Sequence, residues 1–269
     1  MSLNRSNPFD HRDQDSKEPG RPVFAPGEYE EEVARHVART IGPHSDLFHE
    51  PLTIDMHLDV LMVPPAANRR HYTLVTCGMG ACEMQVPPEL RHFARMELAL
   101  CLPEGWPPFH TFDTPFSGHN AEGMRAMEGL RFTDNDPPVT PLGPGAWIMT
   151  ALNFTAKIPV RYDTYFDEGH TIPNGDPPEP VAFGSDLCCT LLSRPRRIKN
   201  PAFRRLKLSD GSQVRFMSLI LIHRNEMEFK LRRGYEALSE KFDENGVDEL
   251  LDLDRPSVCR GGLLGRFGF

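Results

Sequence analysis

The chain has 269 residues, a formal net charge of −8 and a pI near 5.8. Its 39% hydrophobic content suffices for a sizeable core, as one large domain or two small ones, and excludes global disorder. The acidic balance argues against a nucleic-acid or membrane-surface footprint, and no run approaches the roughly eighteen apolar residues of a membrane helix.

Residues 1–26 are rich in Asn, Asp, Ser, Arg and Pro and read as a mobile leader. Met1 to Lys17 is polar and lacks the apolar stretch of a signal peptide. Six cysteines without a CxxC pair predict reduced thiols in a bacterial-type cytosol. Order begins near Gly27. Tyr29, Val33, Val37 and Ile41 recur every four positions, which predicts an amphipathic helix over 28–41 stopped by Gly42-Pro43.

Pro51 to Met84 then reads as two strands around a polar turn. In 53–63, Ile54, Met56, Leu58 and Val60 share one face, and Thr53, Asp55, His57, Asp59 and Leu61 the other. Ala66 to Arg70 makes the connection, and Tyr72–Thr76 is the second strand. Gly78 and Gly80 mark a tight turn or bulge. Residues 93–102 predict a third strand, with Met96, Leu98, Leu100 and Leu102 opposite Glu97, Ala99 and Cys101.

Residues 104–145 are punctuated by prolines, with one short helical pattern at Ala121–Leu130, and read as an insertion. A helix is expected over 147–154, a strand over 181–192 and an exposed basic stretch over 194–200. Residues 214–222 are apolar on both faces at their end, as in a central strand. Asn225, three residues before Glu228, is placed to cap one C-terminal helix carrying Met227, Leu231, Leu238 and Phe242 to Asn245-Gly246. Residues 247–269 are expected to be a fraying tail.

No GxSxG, HExxH or P-loop is present. Asp55, His57 and Asp59 offer oxygen and imidazole ligands for a metal, but same-face side chains lie about 7 Å apart and only neighbours converge. A hydrogen-bonded or solvated polar face is the favoured reading. Cys77 before a glycine is a suggestive place for a thiol nucleophile, set against the commoner buried thiol. Glu97, if buried, needs a partner such as Arg69, Arg70, His57 or His170, which makes it a candidate for a structural polar network. Trp106 and Trp147 read as packing anchors. The acids between Asp243 and Asp254 read as solvated charge.

The ordered series His57-Leu58-Asp59-Val60, Tyr72 to Met79, Met84, Pro87, Glu97 to Pro103 with Trp106, then Trp147, Gly169-His170-Thr171 and Glu226, Gly234, Leu238 and Phe242 resembles the suppressor of fused domain over roughly 30–245. The resemblance implies a mixed α/β fold, a central mixed sheet flanked by helices, here over residues 27–246. It implies protein binding without catalysis, cofactor or metal. The animal member sequesters a transcription factor, and bacterial single-domain relatives are held to be immunity proteins of polymorphic toxin systems. The expected partner is thus a protein, such as a secreted toxin domain, met in the cytoplasm, with no nucleic acid and no membrane. His57, Asp59, Thr76, Gly78, Met79, Glu97, His170 and Thr171 are expected as one clustered polar site that binds a partner or braces the fold, the second being favoured. The rival is a hydrolase or small-ligand binder using His57, Asp59, Glu97 and His170 in a cleft, and a third reading offers a sheet edge for strand addition.

Overall fold

The computed structural model describes residues 27–48, 56–107, 145 and 147–259. Helix α1 spans Glu28–Thr40. Acidic Glu28, Glu30 and Glu31 sit in its first turn, where the helix dipole favours negative charge. Strands β1 (Ser45–Phe48), β2 (Asp59–Val63), β3 (His71–Cys77) and β4 (Arg95–Pro103) follow as an antiparallel run. Helix α2 is Trp147–Arg161, longer than its apolar start predicts. Next come β5 (Thr171–Pro173), β6 (Leu187–Ser193), β7 (Arg205–Lys207) and β8 (Gln213–His223).

These form one mixed sheet in the order β1-β2-β3-β4-β8-β6-β5, with β7 beside the start of β8. β4 and β8 pair in parallel from Arg95↔Val214 to Ala99↔Ser218. Both strands are buried on both faces, so their near-continuous apolar sequences are those of central strands.

The alternation of β4 divides the core as its sequence predicts. Leu98, Leu100 and Leu102 meet Ile148, Leu152 and Ala156 of α2 on one face. Ala99 and Cys101 join Tyr29, Val33 and Val37 of α1 with Phe216 on the other. Each such large side chain taken out of water contributes on the order of 2 kcal/mol.

The expected single C-terminal helix is two, α3 (Arg224–Arg233) and α4 (Tyr235–Asn245). Gly234 separates them at φ 91° and ψ 165°, a conformation that side chains bearing a Cβ rarely adopt. The cap is His223 paired with Glu226, not Asn225 with Glu228. Leu238 and Phe242 are buried against Cys189, Leu191, Ile220 and Ile222, whereas Leu231 is 62% exposed.

Residues 247–259 are not a fraying tail. β4 and β8 part after Ala99, and the Cys101 amide donates to the Glu249 carbonyl while the Leu251 amide donates to Cys101. Glu249 is buried, and its carboxylate accepts the backbone amides of Arg196, Arg197 and Ile198. Such a nest of successive amides holds an anion that sequence alone reads as solvated.

Trp106 and Trp147 pack 6.0 Å apart, and the Trp106 indole donates to the Gly145 carbonyl at 3.1 Å. The two ends of the proline-rich segment therefore meet. Its residues 108–144, with the helical pattern at 121–130, lie outside the described residues, as do the leader and residues 260–269.

Candidate functional site

Three of the predicted site residues meet around one carboxylate. Glu97 is 0% exposed in the middle of β4. Its Oε1 accepts the Tyr29 hydroxyl at 2.7 Å and the amides of Gly78 and Gly80 at 3.1 and 3.0 Å. Its Oε2 accepts the Thr76 hydroxyl. The Thr76 oxygen in turn accepts the Leu98 amide at 2.8 Å, just where the β3–β4 register ends at Val75↔Ala99. Thr76 thus closes the end of a ladder and holds the carboxylate beside it.

The glycines belong to that geometry. Gly78 has φ 125°, and a Cβ there would run into the His57 carbonyl. A Cβ on Gly80 would overlap the Tyr29 hydroxyl. Only a bare backbone brings both amides onto one oxygen. Met79 between them is buried in the α2-side core, and its contribution is packing.

Burial pushes the Glu97 carboxyl above its ordinary range, against four donors that pull it down. Burial and then the adjacent carboxylate push the Tyr29 hydroxyl well above its own. None of the cations expected as partners, Arg69, Arg70, His57 or His170, bonds Glu97. Tyr29 and Gly80 complete the set. Tyr29 reads in sequence as an ordinary apolar helix position, and the Gly78-Met79-Gly80 spacing is the one local hint of converging amides.

The eight candidates do not form one cluster. His57 approaches the neighbourhood of Glu97 through its backbone at Gly78, and its ring pairs with Asp59 at 3.2 Å. These two side chains reach solvent, at 38% and 17% exposure. His170 and Thr171 lie at β5, and β2 and β5 are separated by four strands, roughly 24 Å at ordinary strand spacing. There the His170 Nδ1 accepts the Asp167 amide at 3.3 Å and its ring faces Tyr165. Burial pulls the His170 imidazole below its usual pKa. The cleft reading required His57 and His170 to converge, and this strand order keeps them apart. Asp55, the third of the metal trio, lies outside the described residues, and among those described no group of three metal-ligand side chains occurs. Cys77 is buried, its thiol donating to the Glu30 carbonyl at 3.5 Å.

Sequence reasoning missed a second buried carboxylate as a site. Glu226, 0% exposed, is gripped by the Arg255 guanidinium at 2.6 and 2.8 Å and accepts the amides of His223 and Val258. Among the described residues the sheet edges are short. β5 has three residues, and Pro173 has no amide to donate to an added strand. No helix among the described residues is long and apolar enough to cross a membrane.

Among curated proteins no sequence match is found. The structure is similar to the crystal structure of a SUFU (suppressor of fused protein) homologue from Neisseria gonorrhoeae, at TM-score 0.55 and 21% identity, covering 87% of this chain and 98% of that one. It is also similar to a Sufu–Fu complex, at TM-score 0.51 and 12% identity over 87% of this chain and 93% of that one. Against Drosophila Suppressor of Fused the TM-score is 0.50 at 13% identity, and the match covers 90% of this chain but 52% of that one. At these identities the structures show a shared fold. The sequence profile described as Suppressor of fused protein (SUFU) matches residues 55–256, most of the chain, and the chain belongs to that family.

Proposed function

We propose that the chain is a non-enzymatic protein-binding domain, acting in the cytoplasm either as an immunity protein that neutralises a toxin or as a regulator that sequesters a protein partner. The observation that carries this reading is the saturation of Glu97. Its two oxygens accept four internal donors, so the carboxylate best placed to be a catalytic acid or base has its bonding filled from within the core. A general base must reach a substrate proton, and one enclosed in this way braces the fold instead. The occurrence of the same fold in a Sufu–Fu complex supports contact with a protein rather than chemistry.

Of the eight candidates, the His57–Asp59 pair presents itself to solvent and is the proposed point of contact, while Thr76, Gly78, Met79 and Glu97 hold the backbone that carries it. His170 and Thr171 form a separate polar corner. The test is affinity capture of the tagged chain from its native cells, with quantitative mass spectrometry. The expected result is one stoichiometric protein partner, lost from a His57→Ala/Asp59→Ala variant whose circular dichroism is unchanged. Recovery of no stoichiometric partner overturns the binding reading.

A further inference from the structure

Residues 193–207 carry seven Lys and Arg residues and no Asp or Glu, on a chain of net charge −8. The fold neutralises the first part of this run. Arg194 pairs with Glu168, Arg196 with Asp243 and Arg197 with Asp248. The last part is left over. β7 places Leu206 inward and both Arg205 and Lys207 outward, and neither has a carboxylate partner among the described residues.

The register makes this more than a solvated run. Arg205 lies directly opposite Arg215 on β8. Directly opposed like charges are destabilising. Both guanidiniums also share one ring, with Arg215 at 4.1 Å and Arg205 at 6.0 Å from the centre of Phe93. Asp167 offsets the Arg215 charge at 2.9 Å. Asp210, the next acid along the chain, turns its carboxylate to the Ser212 amide and hydroxyl. Arg205 and Lys207 remain exposed on the outward side of β7, with the half-buried Phe93 beside Arg205 and no carboxylate paired to either cation among the described residues.

We propose that this facet, formed by Phe93, Arg205, Lys207 and Arg215, docks an Asp/Glu-rich segment of the protein partner. The inference rests on the protein-binding reading above and names a surface and a partner chemistry for it. Arginine and aromatic side chains together have the composition of interface anchors. A carboxylate over Arg205 supplies the counter-charge that the fold gives only to Arg215. The small number of exposed cations on the facet, on a chain of net charge −8, fits a short carboxylate segment and disfavours an extended polyphosphate.

The experiment uses the full-length chain and a fluorescein-labelled oligoglutamate peptide, read by anisotropy at low and at physiological ionic strength. The wild type should bind, and binding should weaken with salt. Arg205→Glu should weaken it about tenfold or more, and Lys207→Glu by less, since charge reversal at an exposed rim acts on steering and complementarity. Both positions are exposed, so an unchanged thermal transition is expected. No binding by the wild type, equal binding by Arg205→Glu, or tighter binding of a labelled oligothymidylate overturns the proposal. Arg205→Glu is also carried through the capture experiment. If the captured partner is retained, the facet is wrong and protein binding stands; if the wild type captures no partner, the protein-binding reading itself fails, and the facet with it.

Discussion

Glu97 and Glu226 are both fully buried glutamates, yet they are stabilised in opposite ways. Glu97 is met by dipoles alone, from two hydroxyls and two backbone amides. Glu226 is met by a full cation, the Arg255 guanidinium, with two amides added. In both, burial alone raises the pKa. At Glu97 it wins, and the group ends above its ordinary value; at Glu226 the Arg255 hydrogen bond and charge outweigh it, and the group ends below. A dipole cage tolerates a neutral carboxyl, whereas an ion pair demands a charged one.

The largest effect should come from breaking the ion pair on one side. Arg255→Met leaves Glu226 buried and uncompensated, a loss of about 3–5 kcal/mol in urea unfolding. The double variant Glu226→Gln/Arg255→Met should recover most of it. Full stability in the single variant would show that the pair is not desolvated as the structure has it.

A smaller loss, about 2 kcal/mol, is expected of Glu97→Gln. The amide oxygen replaces only one acceptor, and the NH2 group then faces the Thr76 hydroxyl. Set in the place of Oε1, the amide oxygen keeps the Gly78 and Gly80 amides, so the cost should fall on Thr76, with faster hydrogen exchange at the Leu98 amide that the Thr76 oxygen accepts. Unchanged exchange there would argue that Thr76 is held by something other than Glu97.

The subtlest effect is a difference in pH slope. Glu97 binds its proton more tightly folded than unfolded, so its contribution is fully present below the ordinary value near 4.5 and is lost as pH rises through its raised pKa. Glu226 binds its proton less tightly when folded, so its contribution is present above that value and is lost as pH falls through its lowered pKa. The advantage of wild type over Glu97→Gln should therefore shrink with rising pH, and that over Glu226→Gln should grow. Parallel slopes would mean that the two carboxyls do not differ in state.

Much of the framework was legible because it is periodic. The i, i+4 spacing of Tyr29, Val33 and Val37 gave α1, and the alternation through Met96 to Leu102 gave β4 with its two faces. Thr76, Gly78 and Glu97 are legible as candidates in the sequence, but the cations expected as partners of Glu97 are not the ones that bond it. A buried carboxylate invites a search for cations, while its donors here are a helix hydroxyl 68 residues away and the amides of a turn. Composition carries no signal for backbone donors, since every residue but proline has one.

The same limit explains residues 247–259. A run holding Asp248, Glu249, Asp252 and Asp254 reads as solvated charge, and nothing local shows that β4 and β8 diverge and leave a gap for it. Gly234 was visible in the sequence, but glycine inside a helical pattern is tolerated often enough that its φ had to be seen.

By itself the sequence determined the acidic balance, the elements with strong hydrophobic period and membership of a family whose order of short motifs spans most of the chain. Those properties depend on side-chain identity and local spacing, which the chain carries wherever it folds. Tertiary structure decided which carboxylate meets a dipole and which meets a charge, that His57 and His170 sit toward opposite ends of the strand order, and that Arg205 lies opposite Arg215 beside a shared ring. Each of these is a long-range juxtaposition set by strand order and register, and such pairings arise only when distant segments are brought together by the burial of a common core.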